Sequence, residues 1–372
     1  MAGKTRRWLP VIAFAVVALT LPATPVQAAD HEAPQSLLNR YQAQAGPGAA
    51  VHAGDADEAW TLTSGTATLF PTRPITEDDH FRIASQSKTF TAAVVLQLVD
   101  EGAVDLDAPI GAYLPGVVDG DGYDEDAISV RQILQHTAGL PRDAQNPAAE
   151  PDGSFTLAEL VRSGLTQPPL YAPGEGWTYS NIGYLIAGML IEEVTGQAVG
   201  AAVTERIIVP LGLAETSFPA PGDNSLASPY LPGYQGFWVG PVGFWTEVTF
   251  SFEMSRASSA GAVNSTLGDL TEFYRALAAG EVVSEESLAQ MRTTVDAPAL
   301  GVDYGLGLFK LDLSCGGEAW GHAGNLTTGH SSVTMTTDDG RFASLVTNAF
   351  PANENPPTRY EVVDAALCEE SA

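Results

Sequence analysis

The sequence predicts an α+β fold in which an antiparallel β-sheet is flanked by helices and interrupted in the chain by a mainly helical insertion. Three patterns predict it. Short alternating apolar stretches lie near both ends, at 51–69 and 306–347. The middle carries an apolar helical run at 89–99 and an amphipathic one at 181–196. The late strands follow one another on short turns, which favours antiparallel pairing. One domain is expected over 29–372, with the sheet drawn from about 29–84 and 300–372 and the helical part from about 85–299.

In chain order, residues 1–28 read as a secretory signal. Lys4, Arg6 and Arg7 precede an apolar run from Trp8 to Leu21, and Val26-Gln27-Ala28 forms a small-x-small cleavage pattern. Arg6-Arg7 also fits a twin-arginine route. Pro10 interrupts the run, which is short for a membrane span, and no cysteine follows it to carry a lipid. The expected product is a secreted, extracellular monomer without a membrane anchor.

The 372 residues hold 17 Lys and Arg against 45 Asp and Glu, a net charge of -28. Without the three bases of the leader the balance is 14 against 45, or -31. Such a surface repels nucleic acid and anionic lipid, so neither is an expected partner. Cys315 and Cys368 are the two cysteines. An even pair in an exported chain is expected to be bridged, tying the C-terminal segment to a late strand.

A first helix is expected around 35–45. Val51-His52-Ala53 and Trp60-Thr61-Leu62-Thr63 flank Gly54-Asp55-Ala56-Asp57 as a hairpin, with 66–69 extending its second strand. From Ser85 to Glu101 a helix apolar nearly all round must be buried, and Gly102 ends it. Shorter helices follow at 130–136 and 157–161. From Asn181 to Gly196, Ile182, Leu185, Ile186, Met189, Leu190 and Val194 line one helical side. A further helix is expected over 197–213. Residues 219–251 are rich in Gly, Pro and aromatics and suit a cleft wall or a packed surface loop equally. Helices at 268–279 and 284–291 precede strands at 306–313, 318–322, 332–335 and 343–347, with Asp338-Asp339-Gly340 as a turn. A helix at 362–367 closes the chain.

The chemistry concentrates at Ser85-Gln86-Ser87-Lys88. Residues i and i+3 of a helix share a face, so the Ser85 hydroxyl and the Lys88 amine can meet. A lysine in a dry pocket sheds its proton and can act as a base. A serine needs such a neighbour to become a nucleophile. The chain holds three lysines, Lys4, Lys88 and Lys310, against fourteen arginines. Where charge alone is wanted it uses Arg, which singles out Lys88 for work that needs a neutral amine. Tyr179-Ser180-Asn181 precedes the amphipathic helix. His322-Ala323-Gly324 sits at a strand end, where Gly324 would let a substrate backbone approach closely.

In the order Ser-x-x-Lys, Tyr-x-Asn, His-x-Gly, these segments resemble the serine penicillin-recognising hydrolases, above all secreted D-alanyl-D-alanine carboxypeptidases akin to class C β-lactamases. The resemblance runs over about 35–370. It takes in Leu134-Gln135-His136-Thr137-Ala138-Gly139-Leu140, Ser259-Ala260-Gly261-Ala262-Val263 and Tyr304-Gly305-Leu306-Gly307-Leu308. It implies a β-lactamase/transpeptidase-like fold and an acyl-enzyme on Ser85. Lys88 would take the Ser85 proton or tune its neighbours, and Tyr179 would pass a proton to the leaving amine and back from water; either is a candidate base. Asn181 would hold the substrate amide, and His322 stands where the β-lactamase branch has lysine. The N–H groups of Ser85 and Asn325 would form the oxyanion hole. The implied substrate is a small peptide or a β-lactam. A D-aminopeptidase, an esterase or a β-lactamase uses the same machinery, and a non-catalytic peptidoglycan-binding protein would keep the fold.

Two departures bear on specificity. The carboxypeptidase strand pattern His-Thr-Gly-Thr is here His322-Ala323-Gly324-Asn325, and the arginine that follows Gly-Leu-Gly-Leu is here Phe309. Lys310 should point to the opposite face; Arg256, just before Ala257-Ser258-Ser259-Ala260-Gly261, is a candidate substitute cation. His136 is expected to fix a loop. Gly329-His330-Ser331-Ser332-Val333 fails the Gly-x-Ser-x-Gly elbow. With no His-Glu-x-x-His, Cys-x-x-Cys or Gly-x-x-x-x-Gly-Lys, no metal and no cofactor is expected.

Overall fold

The two strand-rich parts of the chain meet in one sheet. The structure, a computed structural model, describes residues 31–120, 122–239, 242–349 and 355–369; the expected leader at 1–28 lies outside them. Eight strands form the sheet: β1 Gly48–Gly54, β2 Ala59–Gly65, β3 Val295–Ala297, β4 Val302–Tyr304, β5 Phe309–Asp312, β6 Glu318–Asn325, β7 Ser331–Thr336 and β8 Phe342–Thr347. Their order is β2-β1-β8-β7-β6-β5-β4-β3, with every neighbour antiparallel. The early hairpin thus docks beside the last strand, with Val51 opposite Leu345.

Both faces of the central strands are covered, which is why β7 and β8 are buried at every position. On one face, Val333, Met335 and Leu345 pack with Leu38 and Tyr41 of α1 (Glu32–Ala45) and with Val362 and Val363 of the C-terminal helix Arg359–Leu367. On the other lies the helical layer. Its centre is α2, Ser87–Asp100, buried at every residue from Ser87 to Leu96. The all-round apolar run dictates this, since no face of it suits water. Phe90 of α2 stacks on Phe273 at 3.7 Å between centroids. The described residues from His31 onward lie in one compact unit.

Several elements follow their local signals. Ser180 caps the helix Asn181–Thr195 by accepting from Gly183 N–H at 3.0 Å, and Gly196 ends it at φ 68°. Cys315 and Cys368 are bridged, 53 residues apart. Lys310 points away from the sheet face of Phe309 and pairs with Asp303 at 3.1 Å.

Other elements differ from expectation. The helix expected over 197–213 is a short one, Val199–Val203, followed by a π-type turn, Thr204–Ile208. Residues 66–69 do not extend β2. Thr68–Leu69 pairs with Thr72–Arg73 as a separate ribbon. The aromatic segment forms a hairpin, Tyr234–Val239 with Val242–Glu247, whose Phe237 and Phe244 are exposed and stack at 5.2 Å. Among the described residues no single helix is long and apolar enough to cross a membrane.

Candidate active site

Ser85 sits in a turn anchored on both sides. Before it, Phe81–Arg82 pairs with Asn264–Ser265, and Ile83 N–H reaches Val263 O at 3.1 Å. The chain then passes through a 3-10 turn, Ala84–Gln86, into α2. Ala84 has φ 51°, a left-handed conformation that costs a residue with a Cβ. Gln86 is pinned to Ser332 Oγ of β7 at 2.7 Å. The outcome is a half-buried Ser85 whose N–H has no backbone acceptor among the described residues, as an oxyanion donor requires. Strand β6 closes on this turn. A Cβ on Gly324 would stand 2.0 Å from Ile83 O. The protein's own Ile83 carbonyl thus occupies the space that a side chain at 324 would take.

Lys88, fully buried in the first turn of α2, lies 3.3 Å from Ser85 Oγ, 2.7 Å from Asn181 Oδ1 and 2.7 Å from Ala260 O. Burial above all holds its amine well below the usual lysine range; Asp143 opposes the shift and Arg142 assists it. A neutral amine has two N–H donors and one lone pair. Ala260 O can only accept. Asn181 must also turn its oxygen to Lys88, because its Nδ2 donates to the Asp143 carboxylate at 2.6 Å. The two hydrogens are thus committed, and the lone pair is left for the Ser85 hydroxyl.

Tyr179 completes the group. Lys88 Nζ lies 4.8 Å from its ring centroid. The phenol oxygen is buried without an aligned partner. Burial drives its pKa upward, so it stays protonated; the nearby Ser85 hydroxyl opposes the shift without the alignment of a full hydrogen bond. The two titrations are pushed apart, which leaves Lys88 neutral with a free lone pair and Tyr179 protonated.

His322 is buried on β6. Its Nδ1–H donates to Ala323 O at 2.6 Å, and its Nε2 accepts from Tyr304 O–H at 3.0 Å. Burial lowers its pKa to about 3, so the ring is neutral at pH 7. Phe309 packs 5.5 Å from it. Asn325 at the end of β6 is engaged by Arg359, whose Nη1 donates to its Oδ1 at 2.8 Å.

The structure brings Ser85, Lys88, Tyr179 and Asn181 together, with His322, Gly324 and Asn325 along the adjoining strand. It does not bring Arg256 to them. That guanidinium lies 5.7 Å over the Phe155 ring, and no hydrogen bond or ion pair joins it to Ser85, Lys88, Tyr179, Asn181 or His322 among the described residues. The cation beside the strand is Arg359. Sequence reasoning also missed Ala260 O, Asp143, and the wall of Trp177, Tyr184 and Tyr304. A backbone acceptor leaves no sequence signal. Tyr304 had one, since it directly precedes the Gly-Leu-Gly-Leu run that packs on α2: a Cβ on Gly307 would stand 3.0 Å from Lys88 O.

Comparison with known proteins shows the family and the fold. A family model described as Beta-lactamase matches residues 35–367. Esterase EstB of Burkholderia gladioli is 30% identical over 314 residues, covering 75% of this chain and 79% of that one. Penicillin-binding protein 4* of Bacillus subtilis is 25% identical over 332 residues, covering 84% and 69%. Among solved structures, a D-stereospecific amidohydrolase from Streptomyces sp. superposes with a TM-score of 0.81 at 36% identity, over 92% of this chain and all of that one. The chain is a serine hydrolase that belongs to the β-lactamase family, with the β-lactamase/transpeptidase-like fold.

Proposed function

We propose that this protein is an exported hydrolase of D-amino-acid amides and N-terminal D-residues, working through an ester on Ser85. The observation that carries the proposal is the buried, neutral Lys88 amine 3.3 Å from Ser85 Oγ. In the first step the Ser85 proton passes to the Lys88 lone pair while Oγ bonds to the substrate carbonyl carbon. The oxyanion falls to the N–H groups of Ser85 and Asn325. Tyr179 O–H then protonates the leaving nitrogen, and the C–N bond breaks. The phenolate left on Tyr179 takes a proton from the water that attacks the ester, and Lys88 returns its proton to Ser85 Oγ as that C–O bond breaks, which frees the acid and restores all three groups.

The substrate class follows from the charges around this centre. A free C-terminal carboxylate needs a cation, and the positions that would supply one hold a neutral His322 and an apolar Phe309. Asp143 instead offers a half-exposed carboxylate beside Asn181, paired with Arg142 at 3.6 Å, and its charge acts on Lys88 more strongly than that of Arg142. An α-ammonium suits that corner, and a net charge of -28 draws cations to the surface. The amidohydrolase likeness supports the same reading, and EstB supports ester substrates for the same centre. The Cys315–Cys368 bridge supports export, since such bridges persist in oxidising compartments. A second reading, the D-alanyl-D-alanine carboxypeptidase expected from sequence, is favoured by Arg359 beside Asn325.

The test compares the full chain on D-phenylalanine amide, its L-enantiomer and N-acetyl-D-Ala-D-Ala, with fluorescent penicillin labelling in parallel. The expected result is hydrolysis of the D-amide ahead of both others, and loss of hydrolysis and label in Ser85→Ala. Faster release of D-alanine from the acetylated dipeptide would establish the carboxypeptidase instead. Label or turnover persisting in Ser85→Ala would remove the acyl-enzyme.

A further inference from the structure

We propose that His136 is a positioning residue for Tyr179, clamping the chain on both sides of it so that the phenol meets the leaving nitrogen. The inference rests on the reading of Tyr179 as the proton-transfer group. Two acceptors of one residue flank Tyr179: His136 O takes Thr178 N–H at 3.0 Å, and His136 Nδ1 takes Ser180 N–H at 3.1 Å. Between these bonds the His136 ring lies 4.4 Å from the Tyr179 ring, centroid to centroid. The same residue therefore fixes the backbone before and after Tyr179 and limits where its ring can swing.

The conformation behind this clamp is costly. His136 is 2% exposed and holds φ 65°, a left-handed backbone uncommon in residues with a Cβ, although histidine enters it more readily than most. Because Nδ1 accepts from a backbone N–H, the neutral ring carries its proton on Nε2. That Nε2 has no partner among the described residues. Burial first, then Lys88, His322 and Arg142, keep the ring unprotonated, and a proton on Nδ1 would abolish the acceptor. A loop held only by packing would not need this acceptor. A strained backbone and an unpaired buried donor retained together point to a demand of the site rather than of the core.

Asparagine and glycine both accept a left-handed backbone, and asparagine alone places an acceptor near the position of Nδ1. The experiment measures kcat, KM and Tm for His136→Gly and His136→Asn, each alone and combined with Tyr179→Phe, on a D-amino-acid anilide. His136→Gly should lower kcat about 10²-fold with KM nearly unchanged, the scale of a misplaced catalytic group. His136→Asn should recover kcat to within about 5-fold. In the Tyr179→Phe background His136→Gly should cost less than about 3-fold more, because both changes remove one function. Should His136→Gly not yield folded protein, His136→Leu takes its place in the same cycle. Equal kcat for the Gly and Asn variants, or losses that multiply in the double variant, would overturn the clamp. A Tyr179→Phe enzyme as fast as wild type would instead overturn the role of Tyr179.

Discussion

Gly324→Ala should slow the enzyme by displacing its nucleophile. The new Cβ would stand 2.0 Å from Ile83 O, 3.0 Å from Ile83 C and 3.2 Å from Ala84 Cβ. Carbon and carbonyl oxygen rest at about 3.3 Å, so the gap must open by about 1.3 Å. These neighbours are backbone and a short side chain, and none is the end of a flexible group that could swing aside. On its other edge β6 is held by β7, with Gly324 opposite Ser332. The movement therefore falls on the 83–86 turn that carries Ser85. A shift near 1 Å at a catalytic group costs about 10²-fold in kcat, while the overpacking costs about 1–3 kcal/mol of stability. Stopped-flow acylation with a D-amino-acid p-nitrophenyl ester and a thermal melt would separate the two effects. Acylation within about 3-fold of wild type would refute the reasoning, since it would mean that Ser85 does not depend on this approach.

Three further outcomes follow from the same structure. Lys88 titrates in the fold well below its ordinary 10.5, so up to that pH the unfolded chain binds one more proton and stability rises with pH. Lys88→Met should remove that slope, moving the difference in unfolding free energy toward wild type by about 1.4 kcal/mol per unit between pH 8 and 10, and parallel urea curves would count against a neutral Lys88. His322, at about 3 folded against 6.5 unfolded, makes stability fall as pH drops through that window. His322→Gln should flatten the acid arm by about one proton in urea titrations from pH 6 to 4. Replacing Cys315 and Cys368 by serine opens a loop of 53 residues and should lower unfolding free energy by about 4 kcal/mol in urea melts; a loss under about 1 kcal/mol would contradict that magnitude.

The parts of the site legible in the sequence were those fixed by local spacing. Ser85 and Lys88 are one helical turn apart, and Tyr179 and Asn181 stand at the N-terminus of a helix that Ser180 caps. What escaped was set by long-range packing. Ala260 O, which takes one hydrogen of Lys88, is a backbone group 172 residues away. Strands β3 and β4 have three residues each and gain their pairing only from the sheet beside them. Arg256 lies close in sequence to Ala260, yet the chain turns it onto Phe155. Arg359 did have a local signal: Thr358 and Glu361 form a capping box that starts the last helix three residues before the expected Val362.

The same placement separates reactivity from specificity. Ser85, Lys88 and Asn181 belong to the helical layer, where α2 is buried at every residue from Ser87 to Leu96 and the Asn181–Thr195 helix packs beside it. Phe309, His322 and Asn325 belong to β5 and β6, and Arg359 to the helix that covers the far face of the sheet. A change in the second set alters what the substrate meets without touching the two oxygens that Lys88 contacts, because Asn181 Oδ1 and Ala260 O lie on the helical side. Amidase, esterase and penicillin-binding relatives on one fold are what such a division permits. The acyl-transfer centre can stay fixed while the strand and its neighbours are rewritten for another leaving group.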